Sequence, residues 1–264
     1  MTMTTPPENT APAPNGRLYL VPAPLDFGCD DPVSLQDTMP WGTLSVASRL
    51  QYWVCENAKS TRAYLKRVHE ISPLSSPLQD LQLQELPREV HKKGDHSGNF
   101  DARYLLAPVL QGHDLGLVSE AGMPAVADPG SSVVRAAHDM GIKVVPLTGP
   151  VSLLLALAAS GLNGQSFAFA GYLPQDAAQR SQRIRELESL ALKTGQTQLF
   201  IETPYRNAAM LQTLLQTLQH NTRLAVSSGL TLGRAVCRSD TIKNWRHQSS
   251  PLDNSTPAVF ALGR

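Results

Sequence analysis

The stretch from Leu115 to Gly161 reads LGLVSEAGMPAVADPGSSVVRAAHDMGIKVVPLTGPVSLLLALAASG, and its pattern predicts the fold class of the chain. Its two short apolar runs, Leu115–Val118 and Lys143–Leu147, have the length and composition of buried parallel strands. Each run is followed by a loop of small residues, and each loop leads into a helical pattern. Repeated strand–loop–helix units are typical of α/β proteins, which bind ligands beyond the carboxyl ends of their strands. These two loops are therefore the first candidates for a small-molecule site.

The same stretch predicts two helices. The first is expected to begin at Asp128-Pro129, with the aspartate as N-cap and the proline at the first helical position. It is expected to end at Gly141, since glycine is the common residue just after a helix. The second helix is expected to run from Pro150 to Gly161 for the same reasons, and the Gly149-Pro150 junction is the predicted domain boundary.

Strand and helix patterns alternate on both sides of this stretch. Further strands are predicted at Leu18–Pro22, Ser166–Ala170, Gln198–Ile201 and Arg223–Ser227. The first of these is expected to be central, whereas Thr231–Asp240 and Ala258–Leu262 are expected as antiparallel strands at the edge of the second sheet. The fold class is therefore α/β, with two α/β domains of mostly parallel sheets and a cleft between them. The predicted divisions are a disordered tail at 1–16 and domains at 17–148 and 149–264.

Composition narrows the class of protein. The chain has 264 residues, 42% of them hydrophobic, which is enough for one large or two ordinary α/β domains. The net charge of +1 gives no global attraction to nucleic acid or membrane, so any RNA contact needs a local basic patch. Three scattered cysteines without CxxC spacing indicate a reduced, cytoplasmic protein. The polar, Pro- and Thr-rich start is not a signal peptide, and the longest apolar run, Val151–Leu162, is too short to cross a bilayer.

Several common chemistries are missing from the sequence. It has no GxGxxG after the first strand, no GxxxxGK[ST], no GxSxG and no HExxH. His91 and His96 lack a cysteine partner, so no metal site is expected. What remains are strand-end loops of small residues, SEAG, TGP and GYLP, which let a flat ligand approach the backbone. The alternative is that these loops are the tight turns that any α/β protein needs.

The run Ser119–Gly130, followed by Gly141–Leu162, resembles the tetrapyrrole methylase superfamily, the class III S-adenosylmethionine-dependent methyltransferases. The most similar branch methylates the ribose 2′-oxygen of a cytidine in bacterial 16S rRNA. Its other motifs have ordered counterparts in LYLVPAPLDFG (Leu18–Gly28), ENAKST (Glu56–Thr61), GDHS (Gly94–Ser97), VVPLTGP, GYLP and FIETPYR (Phe200–Arg206). The resemblance covers nearly all of residues 17–264 and implies the tetrapyrrole methylase fold.

The chain departs from that branch at several motifs. Where the branch has Gly-Asn-Leu, this chain has Asp26-Phe27-Gly28, and where the branch has Ser-Thr-His, it has Thr203-Pro204-Tyr205. Asn57 and Glu120 each replace an aspartate of the branch. Of a His-Asp-His-Asn turn, only Asp95-His96 remains. The sequence therefore resembles a diverged paralogue in which methyl transfer is expected and the acceptor is open.

The resemblance implies S-adenosyl-L-methionine as cofactor, bound in the interdomain cleft, and S-adenosyl-L-homocysteine as product. The positions that match the family's cofactor-binding motifs are Pro24, Ser119, Glu120, Ala121, Gly122, Val126, Ala127, Val151, Ser152, Glu202 and Thr203. Glu120 either holds the ribose hydroxyls or methionine amino group of the cofactor, or anchors its own loop.

Methylation of a ribose hydroxyl also needs a group that accepts its proton. His96, with Asp95 beside it, is the first candidate, and Glu56 is the second. The alternative for His96 is a substrate contact or a loop cap, because adjacent Asp and His side chains need not touch.

Two helices carry candidate RNA-binding residues. Lys59, Arg62 and Lys66 share one helix face, and Arg180, Arg183 and Arg185 follow in the second half. Either group can also be an ordinary solvated surface. We expect a cytoplasmic homodimer that methylates rRNA, with the small ribosomal subunit as a partner. The alternatives are methylation of a tetrapyrrole or other small molecule, and a non-catalytic S-adenosylmethionine-binding protein.

Overall fold

The computed structural model describes residues 16–26, 28–93, 95 and 100–264, with the backbone alone for residues 91–93. The chain divides into two compact units, and each contains one five-stranded sheet among the residues described. Unit 1 comprises the described residues up to Ala23 together with Met39–Gly149, and unit 2 comprises Pro24–Thr38 together with Pro150–Arg264. Residues 24–38 thus group with the C-terminal half, unlike in the contiguous domains expected from the sequence.

The elements alternate along the chain, as the α/β class requires. The strands are β1 (Arg17–Leu20), β2 (Tyr52–Cys55), β3 (Gln82–Glu85), β4 (Leu115–Val118), β5 (Lys143–Pro146), β6 (Phe167–Tyr172), β7 (Thr197–Glu202), β8 (Arg223–Ser228), β9 (Val236–Thr241) and β10 (Ala258–Gly263). The helices are α1 (Leu35–Thr38), α2 (Trp41–Arg49), α3 (Ala58–Ile71), α4 (Arg88–Lys93), α5 (Ala107–Leu110), α6 (Ser131–Asp139), α7 (Ser152–Ser160), α8 (Ala177–Thr194), α9 (Asn207–Thr217) and α10 (Ile242–Trp245). Short 3₁₀ turns lie at Leu78–Asp80, Arg103–Leu106 and Pro204–Arg206.

The sheet of unit 1 is entirely parallel, with the strand order β3-β2-β4-β1-β5. The central strand is therefore β4, and the expectation that the strand at Leu18–Pro22 is central was wrong. All four residues of β4 are buried, as in a strand covered on both faces. Strand order depends on the crossover connections, which the local sequence of one strand does not specify.

Gly116 allows the large side chain of Trp53 to pack against β4. A Cβ atom at Gly116 would lie 2.6 Å from Cε3 and Cζ3 of the indole ring. Trp53 is fully buried, and its Nε1 donates a hydrogen bond to the carbonyl of Leu50 at 3.2 Å. The ring is thus fixed by packing and by a hydrogen bond, so it has little room to move aside.

The sheet of unit 2 is mixed, with the order β6-β7-β10-β8-β9. β6 pairs in parallel with β7, whereas β10 is antiparallel to both β7 and β8, and β9 is antiparallel to β8. The expected edge position of Ala258–Leu262 was therefore wrong, since β10 is the central strand and every residue of it is buried. Mostly parallel pairing holds for unit 1 alone.

Unit 2 has a separate core on each face of its sheet. On one face, α8 and α9 cover a cluster that includes Phe200 and Phe260, whose stacked rings lie 5.5 Å apart between centroids. On the other face, α7 packs mainly over β8, β9 and β10, with Leu153 and Leu157 buried beneath it. This leaves β6, at the edge of the sheet, away from the main contacts of α7.

Two further findings concern the helices and the cysteines. Within the described ranges, no helix combines the length and apolar character needed to span a bilayer. Cys29, Cys55 and Cys237 are free thiols, and burial raises the pKa of the Cys55 thiol to about 11. Cys55 therefore stays protonated at neutral pH and acts as a core residue.

Substitution of Gly116 tests the packing at the centre of unit 1. Gly116→Ala should lower the free energy of unfolding by about 1–3 kcal/mol, because the new methyl group overlaps the buried Trp53 ring. Gly42→Ala is the matched control in α2, where a Cβ atom meets nothing within 4 Å, and it should be neutral or stabilising by up to about 1 kcal/mol. Urea denaturation of the three proteins measures both changes. Equal stabilities for Gly116→Ala and the wild type would contradict the packing described here.

Candidate functional site

Two acidic residues meet at the carboxyl ends of β2 and β4. The strands pair in parallel, with Cys55 opposite Val118, so the residues that follow each strand lie side by side. The backbone N–H of Glu56 donates to the carbonyl of Val118 at 3.3 Å. In return, the backbone N–H of Glu120 donates to Oε2 of Glu56 at 3.2 Å. The parallel register of two neighbouring strands thus brings together the side chains predicted as base candidate and cofactor ligand.

A third carboxyl group, that of Asp128, lies within electrostatic reach of this pair. Burial, the largest cause, together with the charges of Glu56 and Glu120 raises the pKa of Asp128 to about 7. The hydroxyl of Ser60, in the first turn of α3, donates to Oε1 of Glu120 at 3.2 Å. We call Glu56, Glu120 and Asp128 the carboxylate cluster. It holds a group that can gain or lose a proton near neutral pH.

The loop between β4 and α6 carries most of the predicted cofactor residues of unit 1. Ser119 is buried, whereas Val126 and Ala127 are exposed at the far part of the loop. Gly122 exchanges two hydrogen bonds with Ala23, at 2.9 and 3.0 Å, so both of its main-chain polar groups are occupied. Gly122 therefore ties the loop to the segment after β1 and offers a ligand only the space left by its missing side chain.

Backbone strain is concentrated in this loop. Ala125 and Ala127 have φ values of 64° and 65°, in the left-handed region that costs a non-glycine residue about 1–2 kcal/mol. Such conformations persist only where the surroundings impose them, and they cluster at ligand-binding loops. The strain at Ala127, a predicted cofactor residue, is consistent with a loop shaped for a ligand.

Asp95 has a structural role that the sequence analysis did not predict, and its catalytic role stays a prediction. Its carboxylate accepts four hydrogen bonds at the start of α6, from Gly130 N, Ser131 Oγ, Ser132 N and Ser132 Oγ, at 2.6–2.9 Å. Burial alone would raise the pKa of Asp95, but these hydrogen bonds outweigh it and hold the pKa below the ordinary value. A buried carboxylate engaged in this way is a helix cap and a poor proton acceptor.

The expected cap of the same helix was also wrong. α6 begins at Ser131, with Gly130 at the N-cap position, and not at Asp128-Pro129. Gly130 has a φ of 130°, which a side chain rarely permits, so the backbone turns sharply just before the helix. The Pro129-Gly130 pair was the available signal, since this dipeptide is typical of a turn. Asp128 therefore does not cap the helix and belongs to the carboxylate cluster. It is a site residue that the sequence analysis did not identify.

The remaining candidate proton acceptor, His96, lies outside the described residues, as do Gly94 and Ser97 of the predicted GDHS turn. The role of His96 stays a prediction. Glu56, the second candidate, is half-buried within the carboxylate cluster.

In unit 2, Glu202 is fixed within its own turn. Its buried Oε1 pairs with Nη2 of Arg206 at 2.5 Å and accepts from the N–H and hydroxyl of Thr203 at 2.7 and 3.1 Å. These contacts anchor the turn after β7. Val151 occupies the N-cap position of α7 and Ser152 its first turn, while Pro24 is buried. The cofactor roles predicted for these five residues stay predictions.

One strained residue in unit 2 was missed. Thr231, in the loop after β8, has a φ of 73°, which is unfavourable for a β-branched side chain. β7 and β8 both run antiparallel to β10, so their carboxyl ends lie at the same end of the sheet. The loop of Thr231 therefore lies at the same end of the strands as Glu202 and Thr203.

The two basic helices differ in how free their charges are. Lys59, Arg62 and Lys66 are exposed on one face of α3, and we call them the α3 basic stripe. On α8, Nη1 of Arg180 donates to the carbonyl of Gln175 at 3.0 Å, and Arg183 forms an ion pair with Glu186 at 3.2 Å. The α3 basic stripe is therefore the better candidate for contact with phosphates.

Fold and site together define an α/β protein with a polar site at strand ends. The profile of the family described as Tetrapyrrole (Corrin/Porphyrin) Methylases matches residues 51–243, a range that includes the carboxylate cluster. The chain belongs to this family.

Similar proteins agree with this assignment. A Vibrio cholerae protein named ribosomal RNA small subunit methyltransferase I is 36% identical over 137 residues, covering 52% of this chain and 46% of that protein. A Mesorhizobium japonicum protein of the same name is 36% identical over 149 residues, covering 56% and 49%. The chain thus spans about half the length of these curated relatives. The crystal structure of uroporphyrin-III-C-methyltransferase from Thermus thermophilus covers 94% of both chains with a TM-score of 0.51 at 18% identity, which shows the fold.

The pH dependence of stability tests the carboxylate cluster. The pKa of Asp128 is about 7 in the folded protein and near 4 in an unfolded chain, so the folded state binds the proton more tightly. The contribution of Asp128 to the free energy of unfolding is fully present below about pH 4, and it is lost as the pH rises through 7. Asp128→Asn should therefore become more stable than the wild type by about 1–3 kcal/mol at pH 8, but not at pH 4.

Denaturation profiles of both proteins between pH 4 and 8 measure this difference. Glu120→Gln removes one neighbouring charge and should move the midpoint of the difference to lower pH. Parallel profiles for the wild type and Asp128→Asn would show that Asp128 lacks this coupling.

Two substitutions separate capping from catalysis at Asp95. Asp95→Ala removes the acceptor at the start of α6 and should lower the free energy of unfolding by about 2 kcal/mol. Asp95→Asn keeps one acceptor oxygen and should lose less, and its activity per folded molecule should stay within a few-fold of the wild type. A fully stable Asp95→Asn protein without activity would restore Asp95 as a catalytic residue.

Proposed function

We propose that the chain is an S-adenosyl-L-methionine-dependent methyltransferase that methylates a ribose 2′-oxygen of rRNA. The observation that carries this proposal is membership of a methylase family over residues 51–243, with relatives named as ribosomal RNA small subunit methyltransferases. The strand-end position of the carboxylate cluster supports it, because this is where α/β folds bind ligands.

The residues of the β4–α6 loop fit the proposed cofactor by their chemistry. The carboxylate of Glu120 can accept hydrogen bonds from ribose hydroxyls or from the ammonium group of methionine. The exposed Val126 and Ala127 present small apolar surface to an adenine ring. Residues 119–122 are the proposed cofactor-binding positions of unit 1. The proposed positions of unit 2 are Pro24, Val151, Ser152, Glu202 and Thr203. S-adenosyl-L-methionine supplies an electrophilic methyl group on a sulfonium and leaves as S-adenosyl-L-homocysteine.

The protein then has to position the hydroxyl and accept its proton. Glu56 and Asp128 are the described groups that we assign to this step, beside His96 as a further candidate. A carboxyl group with a pKa near 7 accepts a proton at neutral pH more readily than an ordinary carboxylate, and this supports Asp128.

The α3 basic stripe supports an RNA substrate. α3 begins directly after Glu56, with Asn57 as its N-cap, and the stripe faces solvent. Phosphates bound by these side chains would lie close in sequence and space to the cluster, through Ser60 and Glu120. We propose that rRNA, free or within the small ribosomal subunit, binds along this stripe, that the protein works in the cytoplasm and that it acts as a homodimer.

A tetrapyrrole or other small-molecule acceptor is the second candidate. The description of the family as Tetrapyrrole (Corrin/Porphyrin) Methylases favours it. The likeness to the Thermus thermophilus structure is one of fold, so it leaves the acceptor open.

Methyl transfer by the purified chain tests the proposal. With labelled S-adenosyl-L-methionine, small ribosomal subunits from a strain that lacks this chain should gain label as an alkali-resistant ribose methyl group. Glu56→Gln should lower kcat by about 10²–10⁴-fold while calorimetry shows unchanged cofactor binding. The triple substitution Lys59→Ala, Arg62→Ala and Lys66→Ala should raise KM for RNA and weaken the dependence of binding on salt.

Arg183→Ala is the control for the basic stripe, because Arg183 is already paired with Glu186. It should leave the KM for RNA unchanged. Label transferred to a tetrapyrrole precursor and not to RNA would establish the second candidate. Failure to bind S-adenosyl-L-methionine would reject methyl transfer altogether.

A further inference from the structure

A groove lies at the far end of the α3 basic stripe. Lys66, the last cation of the stripe, lines this groove together with His69, which is exposed in the last turn of α3. Steps of three, four and three residues from Lys59 to His69 place these side chains on one helix face. At ~1.5 Å per residue, this face extends about 15 Å along the helix. The groove therefore continues the surface that is proposed to contact RNA.

The groove has the size and lining of a site for a flat, partly polar molecule. Its volume is about 400 Å³, which is within the range of small-molecule sites. None of the described lining residues is acidic, although Glu70 and Asp80 stand next to two of them in the sequence. Besides Lys66 and His69, the lining combines apolar side chains with side chains that form hydrogen bonds: Leu74, Pro77 and Leu78 in the first group, and Ser75, Ser76 and Gln79 in the second. A nucleobase, with its apolar faces and polar edge, matches this combination.

A main-chain hydrogen bond fixes the ring of His69. Its Nδ1 accepts from the backbone N–H of Leu74 at 3.1 Å. A hydrogen bond to a ring nitrogen lies close to the plane of the ring, so it sets the orientation of the imidazole without occupying either face. The ring is thus held in one orientation before a ligand arrives, which reduces the entropy lost on binding.

The loop that completes the groove is tied to the end of α2. The backbone N–H of Ser75 donates to the carbonyl of Ser48 at 2.8 Å, and its hydroxyl donates to the carbonyl of Arg49 at 3.1 Å. Ser72, at the end of α3, is buried, and its hydroxyl donates to Oγ of Ser48 at 2.9 Å. Hydrogen bonds therefore hold the groove in shape, as in a pre-formed binding site.

We propose that this groove binds one unpaired nucleotide of the rRNA substrate, with its base stacked on the imidazole of His69 and its phosphate paired with Lys66. Proteins that bind single-stranded RNA combine cations along the backbone with planar side chains, histidine included, on which bases stack. One face of α3 carries both kinds of group. An acidic peptide would pair with the same cations, but it has no base to stack on the ring. The inference rests on the RNA substrate of the proposed function and adds a contact more than two turns of α3 beyond Ser60.

Two substitutions of His69 separate stacking from a role in bracing the loop. His69→Phe keeps a planar ring but loses the acceptor for Leu74, whereas His69→Gln keeps an acceptor and loses the ring. Filter binding of unmodified small-subunit rRNA, transcribed in vitro, should give a Kd about 5–150-fold higher for His69→Gln and within about threefold of the wild type for His69→Phe. Both variants are uncharged at this position, so log Kd should depend on log salt with the same slope in both.

His138→Gln is the matched control. His138 is likewise an exposed histidine in the last turn of a unit 1 helix, α6, but it does not line the groove. This variant should bind the rRNA as the wild type does. Circular dichroism establishes that all three variants are folded.

Cross-linking of the wild type locates the contact directly. Small-subunit rRNA that contains 4-thiouridine should cross-link on irradiation to the tryptic peptide of residues 68–88, which carries His69 and most of the lining. The yield should fall in His69→Gln and stay unchanged in His138→Gln.

Several results would overturn the proposal. These are a wild type that does not bind the rRNA or does not cross-link through residues 68–88, equal Kd values for His69→Gln and the wild type, and a Kd for His69→Phe as high as that of His69→Gln. Binding of polyglutamate that is lost in His69→Gln, with unchanged binding of rRNA, would assign the groove to an acidic protein segment. The expected pattern of RNA binding without methyl transfer would reject the proposed function and leave the nucleotide site intact.

Discussion

The parallel register of β2 and β4 is the constraint on which the candidate site depends. Cys55 stands opposite Val118, and this single pairing sets the next residue of each strand at the same sheet edge. Two acidic side chains then meet through a main-chain hydrogen bond from Glu120 to Glu56. Repulsion between like charges would drive such a pair apart on a flexible surface. Here the strands hold it, with Gly116 and Trp53 locking the centre of the sheet, so the stability of the core maintains an electrostatically unfavourable site.

Two aspartates near the start of α6, Asp95 and Asp128, have different roles, whereas the sequence predicted Asp128 as the cap of this helix. Asp95 reaches the helix from a distant part of the chain and satisfies the free N–H groups, which a charged acceptor does well at this end of a helix. Asp128 does not cap the helix and lies near Glu56 and Glu120, where its own ionisation is disfavoured. The two shifts in pKa run in opposite directions, although both carboxyl groups lie near the start of the same helix. Hydrogen bonding dominates for Asp95, and burial dominates for Asp128.

Local patterns in the sequence predicted the elements well but not their arrangement. The apolar runs at β4 and β8, and the glycine that ends α7, were all identifiable because they depend on neighbours within a few residues. The central places of β4 and β10 depend on crossovers and on pairing partners far along the chain, so no local signal specified them. The same limit applies to the site. Glu120 follows from the end of a predicted strand and Glu56 from the family resemblance, whereas the capping role of Asp95 needs a contact across 35 residues or more.

The departures of this chain from the family motifs are physically mild where the structure describes them. Asn57 replaces an acid of the related branch, yet it caps α3 through its side-chain oxygen, because asparagine and aspartate serve equally well there. Glu120 replaces an aspartate and is one methylene longer, and its carboxylate accepts from Ser60 across the gap to α3. Asp26, where the branch has glycine, is buried and accepts from the N–H of Val33, so it stabilises its own loop. Asn57 and Glu120 thus keep an acceptor oxygen where the branch has an aspartate, whereas Asp26 adds one where the branch has glycine. Divergence at these positions has changed the charge or reach of the side chain, and each new side chain is hydrogen-bonded in its own surroundings.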